Sequence, residues 1–211
     1  MKSSLSVEQT REMMISVSQK MIDKKDELNR ADKAVGDGDH GTAMTRGFEA
    51  VIDSIQNEHF DDLASLLKTV GNIILDSVGG AAGIIFGTLF RSGSNALINK
   101  IELDTSGYSN FLKNAVEAIK LRGNVKMGDK TVLDALEPAY KATLESSDVS
   151  IVKVMERASQ AAFQGMEYTK SISAKIGRAK ILGDRSIGHP DPGALSVYYI
   201  LKFMNDYVKG V

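Results

Sequence analysis

Leu63 to Ile74 reads LASLLKTVGNII. Leu63, Leu66, Leu67, Val70, Ile73 and Ile74 recur at the three- and four-residue spacing that lines one face of a helix. The spacing returns in Phe48, Val51, Ile52 and Ile55, and again in Leu112, Ala115, Val116 and Ile119. Leu133, Leu136, Tyr140 and Leu144 repeat it, as do Val152, Met155, Ala162, Phe163 and Met166. No stretch alternates with a period of two over a strand's length. The only prolines are Pro138, Pro190 and Pro192, so little interrupts the helical pattern.

The pattern predicts an all-α chain of about eight amphipathic helices. They fall near residues 7–29, 40–57, 61–76, 80–98, 107–122, 131–146, 149–172 and 192–208. Ser6-x-x-Gln9 and Thr131-x-x-Asp134 have the form of capping boxes. Asp191 before Pro192 reads as an N-cap with proline at the first helical position. Most links are short, which favours antiparallel neighbours in a bundle. The long link, from Ser173 to Pro190, is basic and contains glycine, and links of that length carry function or lack order. A length of 211 residues suits a single domain, residues 1–211.

The net charge is −1 and no basic stripe is present, which argues against nucleic acid or a membrane surface as partner. There are no cysteines, so disulfides and thiolate metal sites are excluded and a reducing cytoplasm fits. The N-terminal residues lack the apolar core of a signal peptide. The longest apolar-and-glycine run, VGGAAGIIFGTLF, is too short for a membrane span. A cytoplasmic protein is expected.

Four places break the helical regularity. The first is VGDGDHGTAMTR, Val35 to Arg46, where Asp37 and Asp39, with Asp32 just upstream, crowd among glycines ahead of a helix start. Close carboxylates repel unless a positive charge lies between them, and a hard divalent cation prefers such oxygens. The calcium EF-hand template fails: from Asp37 its sixth position is Thr42 and its twelfth Phe48, and from Asp32 its third is Ala34. The P-loop fails too, because Thr42 follows Gly41 where lysine is required. Carboxylates beside a helix N-terminus can share space with a phosphate if metal ions bridge them. The plain alternative is a solvated acidic turn with Asp39 as an ordinary N-cap.

The second is SVGGAAGIIFGT, Ser77 to Thr88, with Gly79, Gly83 and Gly87 four apart. It offers either close helix packing or open N–H groups for phosphate. The third, RGNVKMGDKT from Arg122 to Thr131, reads as a connector in which Met127 can lie against a ligand ring. The fourth is GRAKILGDRSIGHPDPG, Gly177 to Gly193. Its Arg178 and Arg185 have the geometry for phosphate, or belong to a solvated loop. His40, His59 and His189 are scattered, and without cysteine they make no zinc site.

Taken together, GDGDHGTAMTRGF, SVGGAAG, GDKTVLDAL and GRAKILGDRSIGHPDPGA closely resemble the L-subunit family of dihydroxyacetone kinases, the DhaL-type nucleotide-binding domain. The resemblance spans nearly the whole chain. It implies an antiparallel barrel of helices that holds ADP or ATP in the loops at one end. It implies Asp32, Asp37 and Asp39 as ligands of a pair of Mg²⁺ ions. It implies His40, Gly41, Thr42 and Ala43 beneath the phosphates. Ala81 and Ala82, in the Gly80–Gly83 turn, and Gly123 and Met127 would border the nucleotide. Arg178, as the catalytic charge, and Asp191, Pro192 and Gly193 would close the site.

Three positions depart from the family's usual residues: Ala43 stands for Asn, Ala82 for Ser and Ile84 for Pro. The implied activity is that of the ADP-binding subunit of a phosphotransferase-system-dependent dihydroxyacetone kinase. Bound nucleotide would relay a phosphoryl group from a phosphohistidine donor, the M subunit, to dihydroxyacetone on a separate K subunit. A homodimer is left open. The rival readings are an ATP-dependent kinase subunit for a related short ketose, a nucleotide-sensing module without catalysis, and a helical scaffold.

Overall fold

The computed structural model describes residues 2–144 and 150–211. The helices are α1 (Val7–Asp23), α2 (Lys25–Lys33), α3 (His40–Ile55), α4 (Leu63–Val78), α5 (Gly80–Ser94), α6 (Thr105–Gly123), α7 (Leu133–Leu144), α8 (Ile151–Tyr168) and α9 (Pro192–Lys209). The end of the helix expected over 131–146 and the start of that over 149–172 lie outside the described residues. The single helix expected over 7–29 is two, parted at Lys24.

Two short strands were not legible in the sequence. β1 (Ser4–Ser6) pairs antiparallel with β2 (Glu102–Asp104), Ser4 opposite Asp104. Three residues are too few to display a period of two.

Eight of the helices close a ring. α1 packs on α3, α3 on α4, and so on in chain order to α9, which packs back on α1. α2 lies outside this ring, against α3 and α9. The apolar faces read from the sequence meet inside it: Met14, Met44, Phe48, Leu66, Val70, Phe90, Leu112, Leu136 and Met155 are all fully buried. Burial on this scale is the dominant favourable term for such a fold.

The ring decides where function can sit. Helices that run up and down in order return every second connection to the same end. One end therefore collects the 34–39 link, the Gly79 junction, the 124–132 link and the 172–191 link. The four irregular stretches of the sequence are these four connections. Among the described residues no helix is long and apolar enough to cross a membrane.

Start signals behave as the residue chemistry requires. The Ser6–Gln9 capping box forms in both directions, and the Asp191 carboxylate accepts the Ala194 N–H at 2.7 Å. At α7 the box is half made. The Asp134 carboxylate takes the Thr131 N–H at 2.7 Å, but the Thr131 hydroxyl accepts from Leu133 instead.

Candidate nucleotide and metal site

Asp32 lies in the last turn of α2, and Asp37 and Asp39 in the link to α3. Each offers a carboxylate oxygen, and these oxygens all lie within 4.8 Å of one another. A hard cation with ligand distances of about 2.0–2.6 Å spans about 4–5 Å between opposite ligands, so the three carboxylates fit such an ion. Asp39 is not an ordinary cap: its side chain makes no capping hydrogen bond. The local work falls to Asp32, whose Oδ2 accepts the N–H groups of Gly38 at 2.9 Å, Asp39 at 3.0 Å and His40 at 3.2 Å. That wraps the glycine link around one carboxylate and turns the other two outward.

The N-terminus of α3 is less open to an anion than its sequence suggests. Asp32 takes the His40 N–H, and the Asn29 side chain takes the Thr42 N–H at 3.0 Å. Ala43 donates to the Asp39 carbonyl within the helix. Gly41 is required by packing: a Cβ there would sit 2.0 Å from the Lys25 carbonyl oxygen. His40 faces inward, its Nε2 2.8 Å from the Ser196 hydroxyl and its ring against Phe86. Burial pushes its imidazole down to about 4, against the pull of the Asp32 charge, so it is neutral at pH 7.

Ala81 and Ala82 occupy the first turn of α5. The N–H groups of Gly80, Ala81 and Ala82 have no acceptor within the helix, and no side chain caps them. Gly79 and Gly80 turn the chain here with φ of 75° and 57°. Gly83 and Gly87 instead serve packing: a Cβ at Gly87 would lie 2.8 Å from the Leu75 Cβ. Arg46 of α3 holds the junction, donating to the carbonyls of Ser77 at 2.6 Å and Val78 at 2.7 Å.

The last long link reaches across to the carboxylates. Arg178 pairs with Asp37 through a guanidinium–carboxylate hydrogen bond, 141 residues away in sequence. Asp191, Pro192 and Gly193 open α9, with Gly193 close against Val132. Burial pushes the Asp191 carboxyl up to about 7, with the Asp134 charge in support; N–H donors and Lys130 oppose the shift. Gly123 ends α6 and Met127 sits half-exposed in the next turn. No hydrogen bond or ion pair joins Gly123, Met127, Ala81 or Ala82 to the three aspartates among the described residues. They share the barrel end, not a contact.

Sequence reasoning missed Asn29 and Lys130. Asn29 gives no signal, since its role arises from the crossing of α2 over α3. Lys130 stands in the quoted GDKT, with a left-handed φ of 62° that no spacing rule foretells.

A family model, the DAK2 domain, matches residues 34–206. The chain belongs to the DAK2 domain family. Within that family it is 35% identical over 179 residues to the PEP-dependent dihydroxyacetone kinase, ADP-binding subunit DhaL, of Escherichia coli K12, covering 84% of this chain and 85% of that one. It is 30% identical to the PTS-dependent dihydroxyacetone kinase, ADP-binding subunit DhaL, of Lactococcus lactis, covering 97% of this chain and 99% of that one. The fold is shared with a crystal structure of the dihydroxyacetone kinase from C. freundii in complex with AMP-PNP and Mg²⁺, at a TM-score of 0.70 and 22% identity. That match covers 93% of this DAK2 chain but only 33% of the longer one.

Proposed function

We propose that the chain is the nucleotide-binding subunit of a dihydroxyacetone kinase. The observation that carries this is a three-carboxylate cluster met by an arginine at the open end of a DAK2 barrel. Asp32, Asp37 and Asp39 would hold Mg²⁺. Ions held there would neutralise the charge of nucleotide phosphates. The open N–H groups of the first α5 turn supply fixed donors for the same charge. Arg178 pairs with Asp37 of the cluster, where a guanidinium would stabilise charge on a moving phosphoryl group.

The chain contributes no general base from His40. That imidazole is neutral but buried against Ser196 and Phe86. We read dihydroxyacetone as held on a separate K subunit, where its hydroxyl is activated. The donor we favour is a phosphohistidine protein of the phosphotransferase system, because the full-length relatives are named PEP- and PTS-dependent. Bound ADP then acts as a resident coenzyme.

The test is to purify the protein without added nucleotide, denature it, and identify what is released by anion-exchange chromatography. Near-stoichiometric ADP is expected, and Mg–ADP should raise the melting temperature of stripped protein. A stripped protein whose melting ignores Mg–ADP would sink the reading. Rapid turnover of free ATP with the K subunit alone would overturn the phosphohistidine donor while leaving the nucleotide site standing.

A further inference from the structure

Among the described residues no lysine or arginine other than Lys130 is buried, and Lys130 is 2% exposed. Its Nζ donates to the carbonyl oxygens of Thr169 at 2.5 Å, His189 at 2.6 Å and Ile172 at 3.2 Å. An ammonium has three hydrogens, so these bonds use its whole donor capacity. The three acceptors are not neighbours. Thr169 and Ile172 lie where the chain leaves α8, and His189 where it returns to α9.

One side chain thus draws together both ends of the excursion that carries Arg178. Burial lowers its ammonium's pKa, and the nearby Asp191 and Asp134 charges offset that only in part. Shorter ties follow the same seam. The Gly188 N–H donates to the Lys170 carbonyl at 2.7 Å, the Asp191 N–H to the Thr169 hydroxyl at 3.0 Å, and the Lys175 N–H to the Asp129 carbonyl at 3.2 Å. The left-handed backbone at Lys130 is a strained state for a residue with a Cβ, tolerated where surrounding contacts over-determine it.

We propose that Lys130 is a positioning residue for the nucleotide site. It closes the 172–191 excursion so that Arg178 meets the carboxylate cluster. This rests on the nucleotide-binding reading above. It adds a residue that touches neither the carboxylates nor Arg178.

The experiment compares Lys130→Met, Arg178→Ala and the double variant with the unsubstituted protein. Mg–ADP affinity is read by calorimetry on nucleotide-stripped protein. Trypsin cleavage is followed at Arg178, Lys180 and Arg185, which lie within the excursion. Losing one charge-assisted contact costs roughly 10- to 100-fold in affinity, so Lys130→Met should weaken Mg–ADP by about that factor and speed cleavage at those three sites. The double variant should bind no worse than the weaker single variant, because the lysine acts through the arginine's loop.

Unchanged affinity in Lys130→Met, or additive losses in the double variant, would overturn the proposal alone. Absence of Mg–ADP binding in the unsubstituted protein overturns the functional reading and the proposal with it. If Lys130→Met does not fold, Lys130→Arg decides. It keeps the charge, but a planar guanidinium does not fit three converging carbonyls. A folded Lys130→Arg with weakened Mg–ADP supports the proposal, and unsubstituted affinity refutes it.

Discussion

Two helices start at the functional end of the barrel, each behind a glycine run, and they present opposite surfaces. At α3 the His40 and Thr42 N–H groups are engaged by Asp32 and Asn29, and Gly41 is jammed against α2. At α5 the first-turn donors are uncapped, and a Cβ at Gly80 would meet nothing within 4 Å. The first start is a wall that aims carboxylates; the second is an open anion cradle. A helix N-terminus is therefore a binding surface only where no neighbouring side chain has reached its N–H groups first.

Breaking the walled start should have the largest effect. Gly41→Ala places a methyl inside the Lys25 carbonyl and should cost about 3 kcal/mol in urea unfolding. Gly80→Ala, at the open start, should cost only about 1 kcal/mol, for its left-handed backbone alone. Equal costs would mean the contrast is not real. Asp32→Ala should come next, losing about 2 kcal/mol without Mg²⁺ because three N–H groups lose a charged acceptor. It should also abolish the Mg–ADP melting shift, and a retained shift would remove Asp32 from the metal set.

The open start can be sharpened rather than broken. Ala82→Ser adds a hydroxyl beside the uncapped donors and should tighten Mg–ADP by about 1 kcal/mol, roughly five-fold by calorimetry. A separate effect concerns acid. His40 binds its proton in the unfolded chain near pH 6.5 but resists it in the fold until about pH 4. The unfolded state then holds more protons across that window, so stability falls as pH drops through it and levels below pH 4. His40→Gln should flatten that part of the urea-midpoint profile between pH 4 and 6.5. An unchanged slope would mean the imidazole is accessible.

Much of this was legible in residues. The faces led by Leu63, Phe48 and Leu112 required helices, and the helices they named lie within a few residues of those found. The split at Lys24 was hidden because an apolar face can continue through one bent turn. The two strands were hidden because each is three residues long. The glycine periodicity at Gly83 and Gly87 read first as packing, with ligand space as the rival, and packing it is, because α4 runs against that face.

By itself the sequence determined that the chain is helical, that its irregular stretches are few, and that carboxylates cluster beside one helix start. These follow from local rules: side-chain periodicity, capping chemistry and charge spacing within a dozen residues. Only the tertiary structure decided which donors stay open, that Arg178 reaches Asp37, that His40 turns inward, and that Lys130 gathers three carbonyls from a distant loop. The last three of those depend on residues from 39 to 156 positions apart. No local rule measures such a distance; the closing of the ring does.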